Sequence, residues 1–272
     1  MTLRELAAAV RQRFEAAGLP EAALEAEVLV RHVACVDRAA YYAGAEAAPG
    51  VALEVDRQVS RRLAREPLAY ITGEREFYGL TFGVNSAVLI PRPESELLVE
   101  LALGELQAGP DAWLADIGTG SGCLAIAIES MRARAGRTVA TDASLSALMV
   151  ARANAARHGV SIHPVLGDLA APLRNVDIVV ANLPYIASGE VDALEPELRN
   201  WEPRLALDGG DDGLALVRTL VRDCAERPHP RVTFLEVGVG EADAVAAFGE
   251  SLGHTARLHR DLGGIDRVVE LR

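Results

Sequence analysis

The sequence predicts an α/β chain in which a small helical bundle leads through a β-hairpin into a doubly wound, mixed sheet. Three observations carry that expectation. Up to about Ala69 the apolar residues recur at helical spacing. Residues 74–90 change to β-type residues with turn signals. From Ala112 onward, short apolar strands alternate with longer helical segments. The 272 residues accommodate one ordinary domain and a smaller one, and a half-hydrophobic composition excludes a disordered chain.

The elements follow in order. Leu3–Ala17 and Glu21–Cys35 read as helices separated by the break Gly18-Leu19-Pro20, and a third helix runs Leu53–Arg65 after a turn at Gly44–Gly50. Leu3, Leu6, Val10 and Phe14 share one face, as do Leu24, Val28 and the Val30 region. In the hairpin, Phe77, Leu80, Phe82, Val84, Val88 and Leu89 are the β-type positions, with Gly79 and Asn85-Ser86 as turns. This divides the chain into a helical domain 1–72, a hairpin linker 73–90 and an α/β domain 91–272. Pro91 and Pro93 bracket Arg92, and Glu94–Gln107 is a helix whose acidic first turn suits its dipole. Strands are expected at Trp113–Ile117, Thr138–Thr141, Ile162–Val165, Val176–Ala181 and Val232–Val237. Helices are expected at Cys123–Ala133, Leu145–His158, Leu214–Cys224 and Glu241–Leu252. Leu258–Leu262 and Val268–Leu271 close the sheet as an antiparallel pair, and a polar, proline-rich loop follows Ala181.

Charge narrows the function classes. All 27 basic residues are Arg, against 39 acidic ones, for a formal charge of −12. Up to Thr72 there are 9 Arg and 10 acids; beyond it, 18 and 29. The excess negative charge therefore belongs to the α/β part, which disfavours a nucleic-acid acceptor and suits a basic partner. Three widely spaced cysteines form no CxxC pair, and the six histidines form no HExxH, so reduced thiols in the cytoplasm and no metal are expected. The N-terminus reads as a helix rather than a signal peptide, and no apolar run approaches the ~18 residues of a membrane span.

The most informative glycines lie in LADIGTGSGCLAIAI, residues 114–128. A strand ends at Asp116-Ile117, Gly118-Thr119-Gly120-Ser121-Gly122 turns, and an apolar helix begins at once. Glycine permits close approach of a ligand to backbone and supplies positive φ. Asp142 ends the next strand, 20 residues after Gly122, where a carboxylate can accept ribose hydroxyls. The loop marks a nucleoside cofactor; Gly120-x-Gly122-x-x-Ala125 by itself also admits NAD.

After the fourth strand comes Asn182-Leu183-Pro184-Tyr185. A planar amide or exocyclic amine has its nitrogen lone pair delocalised and is a poor nucleophile. A site that accepts both N–H hydrogens, through the Asn182 side-chain oxygen and the Leu183 carbonyl, orients that nitrogen, and Tyr185 can cover the planar group. Such catalysis is positioning and electrostatics, with no strong base.

With these residues in hand, the register Asp116-x-Gly118-x-Gly120-x-Gly122 resembles the first motif of class I S-adenosylmethionine-dependent methyltransferases, a Rossmann-like fold with a seven-stranded mixed sheet. More specifically, EPLAYITGEREFYGL, VLIPRPESELLVE, DIGTGSGCLAIAI, ATDAS, ARANAARHG, GDL, NLPYI, EPRLALDGGDDGL and DLGGIDRVV, in this order, resemble the bacterial release-factor glutamine methyltransferases, the PrmC or HemK family. The resemblance implies transfer of a methyl group from S-adenosyl-L-methionine to N5 of the GGQ glutamine of class I peptide-chain release factors. A monomer is expected, and the acidic α/β part leads to the expectation of no direct nucleic-acid contact. It implies cofactor binding by Gly118, Thr119, Gly120, Ser121, Gly122, Asp142 and Asn182, with Asp168 and Leu169 beside the adenine. Asn182, Leu183, Pro184 and Tyr185 would hold the glutamine amide, and Pro91, Arg92 and Glu94 would line the acceptor channel. The helical domain would help hold the release factor.

Two positions depart from the family pattern. Leu183 stands where NPPY has its first proline, keeping the carbonyl but freeing φ. Arg227-Pro228-His229-Pro230 replaces a Gly-Gly turn. NLPY also occurs in rRNA adenine dimethyltransferases, so an N6-adenine nucleic-acid enzyme is the alternative; a ribosomal-protein glutamine methyltransferase is another. The acidic α/β part argues against the first, and VLIPRPE against the second.

Overall fold

The computed structural model describes residues 1–132, 137–226 and 229–272. It divides into two compact units, Met1–Gly73 and Glu74–Arg272. In the first, α1 (Leu3–Ala16), α2 (Ala22–Ala34) and α4 (Val51–Leu63) are the expected helices, and two short ones, α3 (Arg38–Tyr42) and α5 (Leu68–Thr72), were not foreseen. Five residues give too little periodicity to be read, although Asp37 caps α3 by accepting from the Ala40 N–H at 2.7 Å. Thr2 and Glu5 form a reciprocal capping box on α1. The core holds Leu3, Leu6, Val10 and Phe14 as expected, but α2 buries Ala22, Ala26, Leu29 and Val30 and leaves Leu24 exposed. Arg62 of α4 is 4 % exposed and reaches the Glu25 carboxylate with both Nε (2.6 Å) and Nη2 (3.2 Å), so the small core also contains a paired charge.

The second unit opens with a tight hairpin, β1 (Glu74–Phe77) and β2 (Leu80–Gly83). Tyr78 and Gly79 turn it with φ of 51° and 72°, the positive pair a two-residue hairpin requires. The strands end at Gly83, earlier than the change in composition suggested, and residues 84–90 continue without strand pairing. Nor is the hairpin a free linker. Phe77 and Phe82 lie in the core of the second unit, and Asn154 accepts from the Gly83 N–H at 2.7 Å and donates to the Gly83 carbonyl at 3.0 Å.

Behind it follow α6 (Glu96–Ala108), β3 (Leu114–Ile117), α7 (Cys123–Met131), β4 (Thr138–Asp142), α8 (Leu145–His158), β5 (His163–Leu166), β6 (Ile178–Ala181), α9 (Pro196–Trp201), α10 (Ala215–Glu226), β7 (Val232–Glu236), α11 (Ala242–Ser251), β8 (Ala256–Arg260) and β9 (Asp266–Leu271). The seven-stranded sheet has the order β5-β4-β3-β6-β7-β9-β8, with β9 antiparallel to both neighbours. β8 starts two residues earlier than expected, and α9 lies inside the stretch read as loop, where its Pro196 start resembled a loop residue. Ala133, the expected end of α7, and Arg227-Pro228 lie outside the described residues.

The central strands are buried on both faces, as a parallel sheet between helices requires. Leu114, Ile178, Val180, Val232 and Phe234 point towards α6, α7 and α8 in one core; Ala115, Ile117, Val179, Ala181 and Leu235 point towards α10 and α11 in the other. This period-two alternation buries each large side chain for about 2 kcal/mol. Chain order reverses at β3 and β6, and such a switch point opens a crevice at the carboxyl ends of those strands. The glycine loop follows β3, and Asn182 follows β6. Among the described residues no helix is long and apolar enough to cross a membrane.

Candidate active site

The crevice is a cavity whose floor is the glycine loop. Gly118, Gly120 and Gly122 have φ of 71°, 54° and 81°. Asp116, fully buried, holds the loop from beneath: its Oδ2 accepts from the Thr119 hydroxyl at 2.6 Å and the Ala125 N–H at 3.1 Å. Burial raises the Asp116 carboxyl to about 6 against the hydrogen bonds that favour its charge. A methyl group on Gly120 would meet nothing within 4 Å, so this glycine faces open cavity. One on Gly122 would stand 3.1 Å from the Ala151 Cβ. Gly122 is therefore where α7 packs against α8, and it does not line the cavity.

Gly118, Thr119, Gly120, Ser121, Asp142, Asp168, Leu169 and Asn182 all line the cavity. Asp142 is held by two backbone donors, Gly120 N–H at 2.9 Å and Ser144 N–H at 2.8 Å, one on each carboxylate oxygen. Each oxygen keeps a lone pair for a hydroxyl. The open face of Gly120, the carboxylate beside it and Asp168-Leu169 further along the wall fit a nucleoside carrying a ribose diol.

A smaller cavity adjoins the first and shares Leu89, Arg92, Asn182, Leu183, Pro184 and Ala206 with it; Tyr185 lines only the smaller one. Asn182 thus stands where the two meet. Its Nδ2 donates to the Ser95 hydroxyl at 2.9 Å, and among the described residues neither its Oδ1 nor the Leu183 carbonyl accepts a hydrogen bond. Burial pushes the Tyr185 phenol above its ordinary value, with Glu236 adding to the effect, so Tyr185 stays neutral.

Pro91 and Arg92 line the main cavity, but Glu94 does not. The turn Pro93–Ser95 leaves Glu94 exposed and turns Ser95, 3 % exposed, inward in its place. Arg92 is committed to an ion pair with buried Glu202 at 2.5 Å, whose second oxygen accepts from the Ile90 N–H at 3.2 Å. Ser95, Glu202 and Glu236 were missed, although Ser95 lies within PRPES and Glu202 opens EPRLALDGGDDGL.

That last motif braces the loop that follows Asn182. The Ile186 N–H donates to Leu207 O at 3.1 Å, Gly209 N–H to Ile186 O at 2.8 Å and Ser188 N–H to Gly210 O at 2.8 Å. Gly209 has no room for a side chain, since a Cβ would lie 2.6 Å from the Pro184 carbonyl oxygen.

Glu236 ends β7, is 1 % exposed, and is raised by burial to about 7, with Ser95 and Arg267 favouring its charge against that burial. Its raised value, like that of Asp116, makes ionisation less favourable in the folded state. These groups add stability when protonated and lose it as pH rises through about 4 to 7. Glu236→Gln should therefore stabilise the protein more, relative to the parent, at pH 8 than at pH 5. Thermal melts of both proteins at the two pH values check this; an unchanged difference would contradict it.

A family model described as the PrmC N-terminal domain matches residues 5–73, and one described as the methyltransferase small domain matches residues 94–198. The release factor glutamine methyltransferase of Cereibacter sphaeroides is 41% identical over 269 residues, covering 96% of this chain and 94% of its own. That of Geobacter sulfurreducens is 38% identical over 274 residues, covering 98% and 95%. Among solved structures, the human METTL16 catalytic domain in complex with an RNA hairpin is similar with TM-score 0.58 over 82% of this chain and 81% of that one; at 15% identity this is a likeness of fold, the class I methyltransferase fold. The 16S rRNA N2 G1207 methyltransferase RsmC of T. thermophilus, solved in complex with AdoMet and guanosine, is similar with TM-score 0.50 at 18% identity over 73% of this chain and 49% of that one. With near full-length coverage at 41% and 38% identity to the two bacterial relatives, the chain belongs to the release factor glutamine methyltransferase family.

Proposed function

We propose that the protein transfers a methyl group from S-adenosylmethionine to the side-chain amide nitrogen N5 of the glutamine in the GGQ motif of class I peptide-chain release factors. The observation that carries this reading is the meeting of two cavities at Asn182, with two oxygen acceptors left open there. The cofactor, when bound, supplies an electrophilic methyl group. Gly118 to Ser121 give it backbone approach, Asp142 takes the ribose hydroxyls, and Asp168-Leu169 border the base. Asn182 Oδ1 and the Leu183 carbonyl accept the two amide N–H hydrogens, and Tyr185 covers the amide plane from the smaller cavity. Pro91 and Arg92 bound the acceptor channel; Glu94, being exposed, serves at its entrance. The enzyme works as a cytoplasmic monomer without nucleic acid or membrane, and its helical unit, 1–72, recognises the release factor.

Labelled S-adenosylmethionine offered with a purified release factor, its GGQ→GGA version and rRNA tests the reading. Label should enter the unaltered factor alone; label in RNA alone would overturn it. A narrower expectation concerns Leu183, whose side chain is 3 % exposed in the core shared with α10 and α11, while its N–H bonds nothing among the described residues. Leu183→Pro should keep activity within about 10-fold, because it preserves the carbonyl and the extended backbone. Complete loss in the same assay, with the fold intact by circular dichroism, would contradict the assigned role of that carbonyl.

A further inference from the structure

An asparagine side chain presents an acceptor on one side and a donor on the other, and nothing in its own shape decides which faces a ligand. At the junction of the two cavities this choice decides which acceptor can be methylated. Asn182 Nδ2 donates to the Ser95 hydroxyl at 2.9 Å, and Ser95 and Glu236 are both buried, with Ser95 favouring the charge of the Glu236 carboxyl. An ionised carboxylate only accepts, so a Ser95 proton turned to Glu236 leaves the hydroxyl oxygen able only to receive. The group facing Ser95 must then be the Asn182 NH2, which leaves Oδ1 for the ligand. Charged neighbours of Glu236 are Arg267, Arg92 and Glu94. The Glu236 Oε2 is buried without a hydrogen-bond partner among the described residues, so the carboxylate is costly to keep there for packing alone.

We propose that Ser95 and Glu236 are positioning residues that fix the polarity of Asn182, so that the site selects an amide nitrogen over a carboxylate oxygen. This rests on the functional reading above. A site with Oδ1 forward accepts an N–H and repels a carboxylate; a flipped Asn182 would donate to a carboxylate and repel an amide NH2. Without Ser95 both orientations become available.

The test uses the full chain, at about pH 8.5 so that Glu236 is ionised, with release factors carrying GGQ or GGE. Wild type should methylate GGQ and reject GGE. Ser95→Ala should lower the GGQ-to-GGE ratio of kcat/KM by about 10-fold or more, with S-adenosylmethionine affinity by calorimetry unchanged. Ser95→Thr should restore the ratio, since it returns the hydroxyl. Glu236→Gln, whose side chain can donate to Ser95, should relax the ratio as well. A readout without turnover is the Asn182 side-chain NH2 signal in 15N-asparagine-labelled protein, one of five, identified by its absence in Asn182→Ala. It should shift and exchange faster in Ser95→Ala and return in Ser95→Thr. If wild type methylates neither factor, the functional reading fails. If wild type methylates GGQ while Ser95→Ala keeps both its selectivity and its Asn182 signal, the polarity proposal is overturned.

Discussion

Asn182→Ala is expected to lower methyl transfer to a class I release factor by about 10³-fold while leaving S-adenosylmethionine binding measurable. The side chain provides one of the two open acceptors where the cavities meet, and its amide nitrogen is already taken by Ser95 at 2.9 Å. Removing the oxygen leaves the acceptor amide held from one side only and free to turn its nitrogen from the methyl group. Since the glycine loop and Asp142 stay in place, cofactor affinity should change little. Calorimetry together with single-turnover transfer separates the two effects. Undiminished transfer would remove Asn182 from the acceptor site.

Gly213→Ala should be nearly as damaging, although Gly213 lines neither cavity. Its φ is 77°, and an added Cβ would lie 2.2 Å from the Tyr185 carbonyl oxygen, which is backbone and cannot swing aside. Tyr185 or the 209–213 turn must move. A shift of roughly 1 Å in an acceptor loop costs on the order of 10²-fold in rate. Gly240→Ala is the matched control: φ is 85° there, but nothing lies within 4 Å of the new methyl. Gly240→Ala should lose some thermal stability and keep its rate, whereas Gly213→Ala should lose transfer and retain cofactor binding. Equal rates in the two variants would show that the turn does not support the acceptor loop.

The sequence made the αβ alternation, the glycine loop and Asn182-Leu183-Pro184-Tyr185 legible, because each depends on local chemistry: strand apolarity, positive φ, a carboxylate 20 residues beyond Gly122. What it hid depends on contacts between distant segments. Ser95 looked like an ordinary helix start; its significance comes from facing Asn182, 87 positions away. Glu94 drew attention as a charge, yet the turn at Pro93–Ser95 points the neighbouring Ser95 inward instead. Asn154, in the middle of α8, donates to both Gly83 O at 3.0 Å and Ser121 O at 2.8 Å, which ties the hairpin to the glycine loop and explains why residues 74–83 are no linker. Leu24 suited the helical period of α2 but remained exposed, since periodicity finds a face without showing how much of it a small bundle covers.

The central claim is that the acceptor is an amide nitrogen, presented at Asn182 by two oxygens. Its most direct test is the chemical form of the transferred methyl group. A release factor labelled from S-adenosylmethionine by this protein, in the presence of rRNA, should release its label as methylamine on acid hydrolysis, because the methyl sits on the N5 amide. Label recovered as methanol, or as N6-methyladenine in the RNA, would contradict the account.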